Sequence, residues 1–82
     1  MIHRAAVADV VLGILAEVCP DRLPDAGLSD ETRLDNDGLG LDSIEVVEVL
    51  LGCEDYSGVP VGDLLDDEPL TFGRIVSHFS AA

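Results

Sequence analysis

The stretch Gly38-Leu39-Gly40-Leu41-Asp42-Ser43-Ile44-Glu45 contains the residues whose types and spacing are best suited to chemistry. Asp42 and Glu45 stand in the capping-box arrangement, in which Asp42 accepts from backbone amides of a first helical turn and Glu45 reaches back to the cap. Ser43 is then the first helical residue, its hydroxyl directed outward beside a carboxylate. That end of a helix carries free backbone amides and the positive pole of the peptide dipoles, which together suit a phosphate ester. The flanking glycines leave the approach unobstructed. Asp-Ser is also a common helix start with no further role, so these features alone leave a modified serine and a plain cap both open.

Other candidates are weaker. Asp35-Asn36-Asp37-Gly38 has the content of a calcium loop but not its spacing. With Gly38 at the loop's glycine position, the first ligand would be Arg33 and the last Ile44, and neither holds a hard cation. No metal site is expected. His3 and His78 lie in different segments, without neighbours at ligand or triad spacing. Cys19 and Cys53 form no CxxC pair and are expected to be reduced and structural, with no required disulfide. Beside Cys53, the carboxylates of Glu54 and Asp55 are expected to raise the thiol pKa rather than lower it. No acid, base and nucleophile constellation emerges, so no catalytic centre is expected.

The elements that must position Ser43 follow from apolar spacing. Val7, Val10, Val11, Ile14, Leu15 and Val18 recur at helical intervals and make one stripe, which Pro20 ends. From Cys19 to Leu41 a long connection is punctuated by Pro20, Pro24, Gly27, Gly38 and Gly40. It is expected to hold a short helical turn and to be pinned to the core by Leu23, Leu28, Leu34, Leu39 and Leu41. The second helix opens at Asp42 and runs to about Cys53, with Gly52 weakening its last turns and Tyr56 to Pro60 closing the segment. A short third helix is expected over about Val61 to Asp66, with Leu64 and Leu65 facing inward and Asp67-Glu68-Pro69 stopping it. Thr71 is a cap for the last helix, whose stripe is Phe72, Ile75, Val76 and Phe79. No segment alternates as a strand does. The expected fold is all-α, a small four-helix bundle with three longer helices and one short one, over residues 1–82 as a single domain.

Steps of about 100° per residue divide the second helix into two faces. Val46, Val49, Leu50 and Cys53 form the core stripe. Opposite them, Ile44, Val47 and Leu51 are interleaved with Glu45, Glu48 and Asp55. Packing of Ile44 and Val47 against the preceding loop is one account of that face. A docking surface, steered by charge and gripped weakly by apolar side chains, is the other.

Composition narrows the partners. Among 82 residues there are 17 Asp and Glu against 4 Lys and Arg, a net charge of -13. Such a chain repels nucleic acid and anionic lipid, and its natural complement is a basic protein surface. Its 48% hydrophobic content in helical periods argues against disorder. No apolar run approaches the roughly 20 residues that span a bilayer, and Met1 to Arg4 leads into an amphipathic stretch rather than a signal segment. A cytoplasmic monomer is the expectation.

Gly-Leu-Asp-Ser-Ile at 40–44, followed by Glu48, resembles the Asp-Ser-Leu motif of acyl and peptidyl carrier proteins. The resemblance continues through Val59-Pro60 and through Thr71-Phe72-Gly73-Arg74-Ile75-Val76, so it covers most of the chain. It departs at Ile44, where leucine is commonest, and in the stretch from Ser43 to Pro60, which is shorter than in typical fatty acid carriers. The resemblance implies a four-helix bundle in which Ser43, beside Asp42, receives 4′-phosphopantetheine from coenzyme A through a phosphopantetheinyl transferase. It further implies that the arm's thiol carries acyl intermediates as thioesters to fatty acid or polyketide enzymes with basic docking surfaces. A peptidyl carrier of nonribosomal peptide synthesis and an unmodified acidic adaptor are the alternatives.

Overall fold

The computed structural model describes residues 3–24, 27–35, 37–66 and 69–80, with the side chain of Leu65 outside the description. The expected inward packing of Leu65, the stop at Asp67 and Glu68, and Asn36 of the acidic cluster therefore lie outside the described residues.

The first apolar stripe forms α1, Arg4–Val18, which buries Val7, Val11 and Leu15 and leaves Val10, Ile14 and Val18 half-covered at the stripe's edges. Cys19 closes it by donating its amide to the Leu15 carbonyl at 2.8 Å. Pro20 follows, with no amide to continue the ladder, and the chain tightens into a single 3-10 turn, Pro20–Arg22.

The second helix, α2, is Ser43–Ser57. It runs a turn beyond the expected end because Gly52 does not break it. Gly52 lies where α1 crosses, and a Cβ there would come within 3.0 Å of Ile14 Cδ1, so the glycine permits close approach of the two helices. The true stop is Gly58, in the left-handed region at φ 74°, whose amide bonds to the Glu54 carbonyl at 2.8 Å. Val49, Leu50 and Cys53 of the expected core stripe are buried, and Val46 packs half-covered against them.

The expected short third helix is a 3-10 segment, Gly62–Asp66, that buries Leu64. The last helix, α3, is Phe72–Ser80 and buries Phe72, Ile75, Val76 and Phe79. Thr71 Oγ1 accepts the Arg74 amide at 3.2 Å, as a cap should. The architecture of the described residues is thus all-helical, with three α-helices and two 3-10 segments, rather than four α-helices. The Gly62–Asp66 stretch begins at a glycine in the left-handed region, φ 58°, and at five residues is too short to sustain an α-helical ladder.

The three helices meet around one core, which the first loop completes with Cys19, Leu34, Leu39 and Leu41. Leu23 and Leu28 pack against it, half-buried. No strand forms among the described residues, though Arg33 and Thr71 make an isolated antiparallel bridge. No described polar or charged side chain is buried. Among the described residues no helix is long and apolar enough to cross a membrane.

Candidate functional site

The approach to Ser43 is built by the loop that precedes it. The Leu39 amide bonds to the Arg33 carbonyl at 2.9 Å and the Leu41 amide to the Leu34 carbonyl at 2.8 Å, while both leucines are buried. On either side of Leu39, the amides of Gly38 and Gly40 turn onto the Asp35 carbonyl at 2.9 and 2.8 Å. Gly38 has no room for a side chain, because a Cβ would fall on the Arg33 carbonyl. The same loop holds α3, since Thr32 and Asp30 offer carbonyls to the amides of Phe72 and Gly73 at 2.8 and 2.9 Å. These bonds satisfy two amides of the first turn of α3 that have no partner within the helix.

At the start of α2 both halves of the capping box are present. Asp42 Oδ1 accepts the Glu45 amide at 2.8 Å, and Glu45 Oε1 accepts the Asp42 amide at 3.1 Å. Ser43 follows Asp42 as the first helical residue and is exposed. Beside it, Ile44 is 69% exposed, so it does not pack on the preceding loop.

The face proposed for docking is resolved residue by residue. Leu51 is 52% exposed, Glu48 and Asp55 are exposed, and Val47 is half-buried. Glu45 is set apart from them. Its carboxylate pairs with Arg22 Nη1 at 2.7 Å as well as with the Asp42 amide, and it is committed inside the molecule. The Arg22 hydrogen bond, and then the Asp42 amide, hold its pKa below the ordinary carboxylate value. Two residues in this region escaped the sequence reading. Tyr56 stands in the last turn of α2, 47% exposed, and was assignable to a closing turn only because the helix was expected to end near Cys53. Arg22 left no signal at all, because its partners are remote in sequence.

The remaining candidates are structural. Cys19 and Cys53 are free and buried, and burial pushes the Cys53 thiol up to about 11. The cause is desolvation rather than the neighbouring carboxylates, which belong to other sides of the helix. His78 Nε2 lies 2.7 Å from the Pro60 carbonyl oxygen, and its ring meets Phe79 edge to face. His3 is exposed at the start of α1. Asp35 and Asp37 of the acidic cluster pair with Arg33 at 2.6 and 3.6 Å. Among the described residues no group of three or more His, Cys, Asp or Glu is arranged to hold a metal ion. An open groove of about 500 Å³ lies between α1 and α3, lined by Arg4, Asp30, Arg74, Ser77 and His78, and Ser43 is not part of it.

No protein-family model, curated protein or solved structure matches this chain.

Proposed function

We propose that this protein is a carrier, with Ser43 as the attachment point of a 4′-phosphopantetheine arm and the exposed side of α2 as the surface that partner enzymes meet. One observation carries the proposal. Ser43 is an exposed hydroxyl at the first position of a helix whose cap is satisfied by other groups, so it has no structural task of its own. The likeness of 40–44 to the carrier motif supplies the chemistry. In the modification the Ser43 Oγ–P bond forms as a P–O bond of the coenzyme A pyrophosphate breaks. The nucleotide half of coenzyme A leaves, and the hydroxyl proton passes to the transferase or to solvent.

The chain's own residues suit that step. A rigid, leucine-pinned loop on one side and the capping box on the other fix the serine backbone, while the hydroxyl stays accessible. Partly free amides and the helix dipole at this end favour the resulting phosphodiester. When attached, the arm supplies a thiol that holds an acyl group as a thioester and raises its concentration near a docked active site. Exposed Ile44 and Leu51 among Glu48 and Asp55 suit brief encounters with basic partners, which a carrier needs because it must leave each one. The acyl class is proposed over the peptidyl one, with fatty acid or polyketide enzymes as partners. The second reading, an unmodified acidic adaptor, rests on the same face but leaves exposed Ser43 without a use.

The test is modification itself. A broad-range phosphopantetheinyl transferase with coenzyme A is expected to add one arm to wild type and none to Ser43→Ala, read by intact mass. Modification that survives Ser43→Ala, or wild type left unmodified by several such enzymes, overturns the proposal.

A further inference from the structure

Arg22 ends the 3-10 turn after α1, and its side chain reaches across the first loop to the start of α2. Nη1 donates to the Gly40 carbonyl at 3.1 Å and to Glu45 Oε1 at 2.7 Å. One of these acceptors precedes Ser43 in the chain and the other follows it. The Glu45 oxygen that Arg22 holds is the one that accepts the Asp42 amide, and Asp42 in turn accepts the Glu45 amide. A single guanidinium therefore joins the loop before Ser43 to the capping box after it. Gly40 sits at φ 75° and has no side chain with which to anchor itself, so Arg22 supplies the anchor from outside.

Two further facts give this arrangement a functional meaning. The chain has only 4 Lys and Arg residues, and one of them stands at the end of the molecule that displays Ser43. As a contribution to stability, a half-exposed ion pair of this kind counts for little. Its charge matters more, because a phosphodiester on Ser43 would place a further negative charge between the carboxylates of Asp42 and Glu45.

We propose that Arg22 is the positioning residue for Ser43: it holds Gly40 and Glu45 so that the serine hydroxyl is presented in one geometry, and it offsets the charge of the phosphodiester formed there. The proposal rests on the carrier function argued above. Lysine at this position would keep the charge but not the rigid planar fork of donors.

The experiment compares wild type, Arg22→Gln, Arg22→Lys and Arg4→Gln as the full chain. Arg4→Gln removes the same charge at the opposite end of α1, where Arg4 bonds to Ser77. Transferase kinetics with coenzyme A are measured against carrier concentration, and amide hydrogen exchange of Asp42 to Glu45 is followed in the unmodified proteins. Arg22→Gln is expected to lower kcat about tenfold, as misplacement of a reacting group does. Its KM for the carrier should not rise, because loss of a cation does not weaken attraction to a basic transferase. The Asp42 to Glu45 amides should exchange faster, Arg22→Lys should fall between, and Arg4→Gln should match wild type. Wild-type kcat in Arg22→Gln, unchanged exchange, an effect confined to KM, or an equal loss in Arg4→Gln overturns the assignment. If wild type itself takes no arm, the carrier function falls and this proposal with it. If wild type is loaded and Arg22→Gln is loaded at the same kcat, the proposal falls alone.

Discussion

Leu50 and Leu51 are neighbours in sequence about 100° apart around α2, one buried and one exposed, and truncating each to alanine separates the core face from the proposed docking face. Leu50 is 1% exposed and Leu51 is 52% exposed. Leu50→Ala leaves a cavity and is expected to cost about 2–5 kcal/mol. That is a large share of the roughly 4–12 kcal/mol that a domain of this size commands. It should lower the melting temperature by about 10 °C or more. Leu51→Ala removes little packing and should move the melting temperature by only a few degrees. Its effect belongs to association. Fully burying a leucine is worth about 1.5–3 kcal/mol, and with half the side chain already covered about 1 kcal/mol remains for a partner to gain. That corresponds to roughly fivefold weaker docking. The assay pairs thermal unfolding with the rate of transferase loading at subsaturating carrier. Leu51→Ala should be loaded about fivefold more slowly at every salt concentration. Were it to melt as low as Leu50→Ala, or to be loaded as fast as wild type, the two-face account of α2 would be wrong.

Glu48→Lys should keep the wild-type melting temperature within a few degrees yet slow loading at low salt, with the defect shrinking as ionic strength passes about 0.15 M. Equal loading of the two proteins at low salt would remove Glu48 from the docking face. Alkaline stability tests the burial of Cys53. Its folded pKa of about 11 exceeds the ordinary 9.0, so the stability it contributes is full below pH 9 and is lost as pH rises toward 11. The loss should reach roughly 2–3 kcal/mol, and Cys53→Ala should flatten the alkaline fall in melting temperature. An equally steep fall in Cys53→Ala would show that other groups cause it.

Much of the fold was legible because local chemistry and the global structure agree. The apolar stripe of α1 with its stop at Pro20, and the capped, periodic faces of α2 after Asp42 and of α3 after Thr71, stand as read. Two of the misreadings depend on contacts distant in sequence, and one on local backbone conformation. Gly52 reads as a helix breaker in isolation but is a crossing point once Ile14 is placed against it. The segment Gly62–Asp66 reads as a helix from its leucines, yet it forms a 3-10 segment whose first residue, Gly62, lies in the left-handed region. At the site, Ser43 and the exposure of Ile44 and Leu51 followed from position on the helix. Glu45 stands in the capping box as read, but its further pairing with Arg22 was not legible, because Arg22 lies in an irregular loop whose path no periodicity reveals.

The central claim is that Ser43 carries a phosphopantetheine arm, and the most direct test is the intact mass of the protein recovered from its native host, with fragmentation to locate any modification. The expected result is a chain heavier than its polypeptide by one phosphopantetheine group, alone or bearing an acyl thioester, with the added mass on the fragment containing Ser43. A chain found only at its polypeptide mass, or modified at a residue other than Ser43, would contradict it.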